Sequence, residues 1–448
     1  MNLLKNENYE CIICMDLFRD PVITLDGNVY CEECIIKWNK NNSISPHNSG
    51  PKVTEWIKCQ LFNDLYMASH VYTDLNLLKI INSKTIQYNN SNELIRIINM
   101  IDVENSHRLE ENRENTIVLK KTFSNHGLIK RIINSEIVEW IGVNKWTVVH
   151  YVCRFGSIEL IEYMLNCHKF NLEVSTDENW YPIHLVCSNS NNLNSIDQLK
   201  IIKLVLEHKA NLEVSNKNNW NPIHLVCSKS NNLNSSDQLS AIKLLIEHKV
   251  NLEITIKDNW NPIHFVCSGC NNLNSSDQLS AIKLLLEQKV NLEVINKDKL
   301  CPIHFVCSGD NNLNSNDQLD AIKLLLEQKV NLEVSTKNNW YPIHDVCSRN
   351  NNFNSNDQFS AIKLLIARKA NLEVGTKNNW YPIHFLCSKH NNLNYNDQLS
   401  VIKLFLEKKV NLKVKTKNDL TPLDLINKSN KLDAINKQAL IALINNDQ

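Results

Sequence analysis

Residues 221–260 read NPIHLVCSKSNNLNSSDQLSAIKLLIEHKVNLEITIKDNW, and close copies of this stretch follow one another along most of the chain. Prolines spaced by 40 residues mark the period: Pro182, Pro222, Pro262, Pro302, Pro342, Pro382 and Pro422. An earlier copy contains His150, which precedes His184 by 34 residues. Self-similarity at such a period is typical of repeat architectures. The sequence therefore predicts an array of stacked units.

Each unit has the pattern of two helices and a connection. Pro222 is placed to begin a short helix, because its missing N–H is not needed at the first helical position. The polar stretch 231–237 breaks the helix, and Asp237 is placed to cap the next one. The second helix presents an apolar stripe at helical spacing: Leu239, Ile242, Leu245 and Ile246. Residues 251–260 read as a short extended stretch and a turn. One unit alone cannot bury its apolar face, but stacked units can.

The unit resembles the ankyrin repeat, whose pattern begins T-P-L-H. The resemblance implies a mainly α fold, an ankyrin-repeat solenoid of helix–helix–hairpin units that binds a substrate protein on its concave face. It covers residues 147–448 as about eight repeats, the last a C-terminal cap. Residues 112–146 resemble a degenerate N-terminal capping repeat. The polar residues 82–111 read as a linker or a decayed helix.

The units depart from the family pattern in two ways. The later copies place about seven extra residues between the two helices. Apolar residues recur inside this insertion and are predicted to seal the rim of the core: Leu193, Leu233, Leu273, Leu313, Phe353 and Leu393. Lysines stand where the family has glycine after the second helix: Lys209, Lys249, Lys289, Lys329, Lys369 and Lys409. A left-handed lysine costs about 1 kcal/mol at each place.

His184 and Cys187, with their copies, share one face of the short helix. A ladder of metal sites is one interpretation of this pattern. Two ligands per unit do not make a closed tetrahedral site, and buried free cysteine is common in cores. The family resemblance implies structural hydrogen bonds for the histidine. We therefore expect repeat structure here.

Five tryptophans are predicted at hairpin tips: Trp180, Trp220, Trp260, Trp340 and Trp380. Leu300 and Leu420 take this place in two other copies. One interpretation is a packed ladder of indoles that stabilises adjacent tips. The other is recognition of a protein partner, since tryptophan is favoured at binding hot spots. The two interpretations are compatible.

The N-terminal segment has two cysteine pairs of the kind that bind a metal. These are Cys11-x2-Cys14 and Cys31-x2-Cys34. Four thiolates suit tetrahedral Zn²⁺. A module of this size buries a small core, and structural zinc contributes about 10–16 kcal/mol of apparent binding free energy. The sequence predicts one Zn²⁺.

Residues 1–81 resemble both the RING finger and its metal-free relative, the U-box, which implies a small α+β domain. The RING pattern matches at both cysteine pairs. The U-box pattern matches at the stretch DPVITLDGNVYCEECIIKW, residues 20–38. The other two RING ligand pairs would be Asp26 with Asn28 and Ser45 with Asn48. We predict that polar hydrogen bonds replace the second zinc site, as in a U-box.

The same resemblance implies a ubiquitin-ligase function. Ile13, Trp38 and Pro46 occupy the places with which such modules bind a ubiquitin-charged E2 enzyme. These modules have no catalytic side chain and act by positioning the E2 thioester. The basic residue that often steadies ubiquitin would fall near Ser49, which is not basic. The alternative is a non-enzymatic ankyrin adaptor whose zinc module is only structural.

The composition excludes several classes of function. Formal net charge is +0, from 48 basic and 48 acidic residues, which predicts neither nucleic-acid nor membrane binding. The N-terminus lacks the apolar core of a secretory signal, and 15 cysteines without such a signal are expected to be reduced thiols in the cytoplasm. The Asn- and Lys-rich units resemble ankyrin proteins of amoeba-infecting giant viruses, for which the compartment would be the host cytoplasm.

Overall fold

The computed structural model describes residues 10–11, 16–17, 21–24, 29–41, 56–58, 141, 143–166 and 171–445. The chain divides into two compact units, residues 1–169 and 170–448. In the described ranges, no helix combines the length and apolarity that a membrane span requires. The predicted linker 82–111 lies outside the described residues, as does nearly all of the predicted capping repeat 112–146.

The described N-terminal part contains short antiparallel strands and one helix. The strands are β1 Glu10–Cys11, β2 Asp16–Leu17, β3 Pro21–Thr24, β4 Val29–Cys31 and β5 Trp56–Lys58. β1 pairs with β2, and β3 lies between β4 and β5 in a three-stranded sheet. Helix α1, Glu32–Asn41, follows β4 directly. Ile35 on this helix is fully buried.

The first unit ends with a pair of helices. A 3-10 turn, Val143–Lys145, precedes α2, Val148–Phe155, and α3, Ile158–Asn166. Only residues 156–157 join α2 to α3, so the short connection predicted for the first copy is confirmed.

The second unit alternates short and long helices with a 40-residue period. The short helices are α4 Pro182–Cys187, α6 Pro222–Cys227, α8 Pro262–Cys267, α10 Pro302–Cys307, α12 Pro342–Cys347, α14 Pro382–Cys387 and α16 Pro422–Lys428. The longer helices are α5 Ser195–Glu207, α7 Ser235–Glu247, α9 Ser275–Glu287, α11 Ser315–Glu327, α13 Ser355–Ala367, α15 Tyr395–Glu407 and α17 Ala434–Asn445. Short helices contact short helices and long ones contact long ones between neighbouring repeats. This is a mainly helical repeat solenoid that resembles ankyrin repeats.

The helix starts confirm one prediction and correct another. Each short helix has its proline in the first turn, as predicted. The predicted cap Asp237 was wrong. Asn234 is the N-cap, and its side-chain oxygen accepts the Asp237 N–H at 2.9 Å. The Asp237 carboxylate instead accepts a hydrogen bond from Ser195 Oγ of the preceding repeat at 2.5 Å. Asparagine satisfies the first-turn N–H, which frees the aspartate for the contact between repeats.

The connections between helices also refine the prediction. The seven residues 188–194 join α4 to α5, against residues 156–157 in the first copy. The spacing of the recurrent histidine grows from 34 to 40 residues, so the insertion is six residues, close to the predicted seven. The apolar residues of the insertion are buried, which confirms their predicted role. The connection after each long helix ends in a tight turn, in which the Ile256 N–H donates to the Trp260 carbonyl at 2.9 Å. The extended stretch predicted before this turn forms no strand within residues 171–445.

The lysines after the long helices are left-handed, as predicted. The φ angles of Lys209, Lys249, Lys289, Lys329, Lys369 and Lys409 lie between 55° and 63°. Asparagines of the turns, such as Asn219 with φ 62°, adopt the same conformation. The chain thus uses lysine and asparagine where other repeats use glycine.

A ladder of buried amides ties the repeats together, and the sequence pattern did not predict it. Gln238 is fully buried and donates to the carbonyls of Val226 and Ser228, both at 2.8 Å. Its oxygen accepts the Asn272 N–H of the next repeat at 2.9 Å. Asn231 donates to the last carbonyls of its short helix. We call these two positions and their copies the amide rim: Asn191, Asn231, Asn271, Asn311, Asn351 and Asn391 with Gln198, Gln238, Gln278, Gln318, Gln358 and Gln398.

Candidate functional site

The strands that hold two of the predicted zinc ligands are neighbours. Cys11 ends β1 and Cys31 ends β4, and β1 contacts β4. Cys34 lies in the first turn of α1 and is half-buried. Cys14 lies outside the described residues, and only the backbones of Cys11 and Cys31 are described. The zinc site therefore stays a prediction.

One of the three predicted E2-binding residues falls in the described part of the chain. Trp38 is half-buried on α1, one turn after Cys34. Ile13 and Pro46 lie outside the described residues, as do Asp26, Asn28, Ser45 and Asn48. The E2-binding surface thus stays a prediction as well.

The five tryptophans of the array are half-buried at the ends of the tight turns. The residue before each of them is an asparagine with a left-handed backbone. The N–H of Trp220 donates to Asn216 Oδ1 at 3.0 Å across the turn. The turn thus fixes each indole in a half-buried position.

Each indole packs on the ring of the histidine that follows it, and Trp220, Trp260 and Trp340 also pack on a phenylalanine of the next repeat. The ring centroid of Trp260 lies 5.8 Å from that of His264, 5.0 Å from that of Phe265 and 5.2 Å from that of Phe305. Trp220 contacts Phe265 in the same way, at 5.4 Å. Such pairs contribute about 0.5–1.5 kcal/mol each beyond their buried area. The tryptophans, these histidines and the residue after each histidine form what we call the aromatic face.

The histidines of the face are held by hydrogen bonds to backbone groups, on both ring nitrogens except at His304, where within residues 171–445 only Nδ1 has a backbone partner. In His224, Nδ1 accepts the Asn221 N–H at 3.0 Å and Nε2 donates to the Ile254 carbonyl at 3.2 Å. This network assigns the neutral tautomer with the proton on Nε2. Burial lowers the pKa of His224 to about 4 and that of His264 to about 4. These nitrogens are engaged in structural hydrogen bonds, as the family resemblance implied.

The recurrent cysteines have the environment of core residues. Cys187 and Cys227 are fully buried, and burial raises the pKa of both thiols. A thiol must lose its proton to bind a metal. Together with the engaged histidines, this favours repeat structure over a ladder of metal sites.

Sequence reasoning missed the residue that follows each histidine. This position holds Leu185, Leu225, Phe265, Phe305, Asp345 and Phe385, all buried. A recurrent aromatic one residue after the histidine was the signal that could have revealed it. Asp345 is the one charged residue in this series.

Comparisons with known proteins give short sequence matches to ubiquitin ligases and, separately, structural matches that include an ankyrin repeat domain. No family model matches the chain. A stretch of 38 residues is 50% identical to E3 ubiquitin-protein ligase RMA2 of Arabidopsis thaliana, which is 8% of this chain and 20% of that protein. Forty residues are 42% identical to E3 ubiquitin-protein ligase RMA1 of the same organism, 9% of this chain and 16% of that protein. The chain thus spans a fifth or less of the length of these curated relatives.

Two solved structures resemble the fold at low identity. The ankyrin repeat domain of Bcl-3, a member of the IkappaB protein family, is matched with a TM-score of 0.39 and 16% identity. That match covers 60% of this chain and 99% of that one. A chain from the complex of the Bd0816 predatory endopeptidase of Bdellovibrio bacteriovorus with immunity protein Bd3460 is matched with a TM-score of 0.34. It is 21% identical, over 45% of this chain and 92% of that one.

Proposed function

We propose that the chain is an E3 ubiquitin ligase, in which the N-terminal module recruits a ubiquitin-charged E2 enzyme and the repeat array binds the substrate protein. The observation that supports this most is the pair of short matches to E3 ubiquitin-protein ligases. The paired cysteines and Ile13, Trp38 and Pro46 agree with such a module. The ligase has no catalytic side chain of its own and acts by positioning.

The array's part in this proposal is assigned to the aromatic face. Five half-exposed indoles are held by turns and neighbouring rings, so little side-chain entropy is lost when a partner covers them. Tryptophan is also enriched at the centres of protein interfaces. We therefore place the substrate on this face, in the host cytoplasm if the chain is viral.

A ubiquitination assay with a panel of E2 enzymes tests the ligase function. The full chain should modify itself with ubiquitin in the presence of one or more E2 enzymes. Ile13→Ala should abolish this activity, because it removes the apolar contact with the E2. The variant with Cys31→Ser and Cys34→Ser should lose both its zinc, measured as one Zn²⁺ per chain in the wild type, and its activity.

The competing function is a non-enzymatic adaptor. The well-packed repeat array is equally compatible with that function. Silence across the whole E2 panel, with one zinc still bound, would favour it. A zinc content of two per chain or of none would contradict the single-site prediction in either case.

The aromatic face is tested through its tryptophans. Trp220→Ala combined with Trp260→Ala should remove proteins that co-purify with the wild-type chain. Lys243→Ala, an exposed change on α7, is the matched control and should retain them. An unchanged set of partners in the double variant would show that substrates bind elsewhere.

A further inference from the structure

The aromatic face is interrupted between junctions that pair a tryptophan with a phenylalanine. At three junctions a tryptophan packs against the phenylalanine of the next repeat: Trp220 against Phe265, Trp260 against Phe305, and Trp340 against Phe385 at 5.3 Å. At the preceding junction both partners are replaced, because Leu300 stands in the tryptophan place and Asp345 in the phenylalanine place. The ring contact is therefore absent there, and a cleft of about 460 Å³ opens in front of Trp340.

Asp345 lines this cleft as a buried carboxylate without a partner. Asp345 is only 9% exposed. Within residues 171–445, its carboxylate oxygens accept no hydrogen bond and form no ion pair. An unpartnered carboxylate in a largely buried residue is costly, since burial removes part of its hydration without replacing it. Burial and then the negative charge of Asp310 raise the pKa of Asp345 well above its ordinary value.

The other charged groups of the cleft leave Asp345 uncompensated. Asp310 is exposed at the edge of the cleft and adds a second negative charge. Arg349 also lines the cleft, but in the described part of the chain it forms no ion pair with Asp345 or Asp310. At the neighbouring cleft, burial and then the positive charge of Arg349 lower the pKa of His390.

We propose that this cleft binds a basic side chain, a lysine ammonium or an arginine guanidinium, of the protein that the array engages. The cation would favour the ionised form of Asp345 and pair with it and with Asp310, while its stem lies against the Trp340 indole. Carboxylates supply the countercharge and the hydrogen-bond acceptors, and an indole face attracts a cation through its ring quadrupole. The inference rests on the proposed partner-binding role of the array and adds the chemistry of one contact.

Tripeptides test this cleft on the full chain without an E2 or a substrate. The probes are Ac-Gly-Lys-Gly-NH2, Ac-Gly-Arg-Gly-NH2 and the neutral Ac-Gly-norleucine-Gly-NH2. The readout is the indole N–H signal of Trp340 in tryptophan-labelled protein, assigned with Trp340→Phe. At least one cationic peptide should move this signal saturably, and the norleucine peptide should bind roughly tenfold more weakly or not at all. The stronger of the two cationic probes identifies the side chain.

Two variants at position 345 separate binding from folding. Asp345→Asn keeps the shape and should weaken the cationic peptides by roughly tenfold. Asp345→Phe introduces the residue found at this position in three other repeats, should stabilise the chain and should close the cleft to all probes. Asp298→Asn, an exposed carboxylate on a turn, should leave binding unchanged.

Three results would overturn the proposal: no saturable shift with either cationic peptide, equal binding of the norleucine peptide, or unchanged binding to Asp345→Asn. A failed ubiquitination assay would leave this test untouched. Failure of the cleft would equally leave the ligase assay interpretable.

Discussion

The amide rim and the aromatic face recur in the same repeats, yet they differ in how uniform they are. Every repeat from 181 to 420 has the same asparagine and the same buried glutamine in the rim. The face varies, with leucine, phenylalanine or aspartate after the histidine and leucine for tryptophan at position 300. No other residue can make the three hydrogen bonds of a buried glutamine such as Gln238. A half-exposed ring, in contrast, can be replaced by another residue. The rim thus holds the stack together, and the face is free to differ where a partner binds.

Acid should have the largest effect, and it should act on the aromatic face rather than on the amide rim. The face contains buried histidines, whereas the amides of the rim do not titrate. Burial lowers the pKa of His184, His224, His264, His304 and His344 from 6.5 to about 4. Their stabilising contribution is complete above pH 6.5 and is lost as the pH falls toward 4, because the unfolded chain then binds protons that the folded chain does not. Each site costs about 2 kcal/mol by pH 5. The urea midpoint should fall steeply between pH 7.5 and 5.

Two variants check the origin of that acid sensitivity. His248 is exposed at the end of α7, so His248→Gln should retain the full drop in the urea midpoint. His224→Gln should start from a lower midpoint and lose less on acidification. An equal midpoint at pH 7.5 and pH 5 in the wild-type chain would contradict the buried neutral histidines.

Removing one amide should produce the next largest effect and sharpen the role of the rim. Gln278 is fully buried, donates to the carbonyls of Val266 and Ser268, and accepts the Asn312 N–H at 2.9 Å. Gln278→Ala leaves the Asn312 N–H without its acceptor, leaves the two carbonyls with only their bonds from Asn271 Nδ2, and opens a cavity. We therefore expect a loss of about 2–5 kcal/mol in the free energy of unfolding. The exposed Gln288 provides the matched control, since Gln288→Ala should change stability by less than about 0.5 kcal/mol.

Hydrogen exchange gives a local readout of the same change. The Asn312 amide loses its acceptor in Gln278→Ala and should exchange faster. The Asn272 amide, which donates to Gln238, should remain protected. Equal exchange at both amides would mean that the rim does not couple neighbouring repeats.

The helical repeat was predictable from the sequence because its signals are local. Pro222 and the stripe on α7 follow from backbone and burial rules that act within one unit. The amide rim was not, because Gln238 bonds partly to the next repeat, and a polar residue beside a polar loop reads as exposed. Asp237 was misplaced for a related reason. Asn234 and Asp237 are both good capping residues, and only the contact with Ser195 in the neighbouring repeat decides between them.

The face was half predictable. The period revealed the tryptophans, but the partner ring Phe265 lies in the next repeat's short helix, where it reads as ordinary core. Asp345 broke the apolar pattern of that helix and was the visible exception. Exceptions to a repeat are places where local rules fail, and such places are expected at functional sites.

The smallest effect concerns a position that is uniform without being optimal. Lys289 has φ 57°, a conformation that costs lysine about 1 kcal/mol. Lys289→Gly removes this cost, while the extra freedom of glycine in the unfolded chain returns roughly half of it. We expect a net gain of about 0.5 kcal/mol in the free energy of unfolding, measured by urea titration. Lys283→Gly, exposed inside α9, is the control and should lose about 1 kcal/mol. A gain in Lys289→Gly with a loss in Lys283→Gly would show that the lysine recurs from repeat to repeat for a reason other than stability, unlike the residues of the amide rim. A loss of stability in both variants would contradict that distinction.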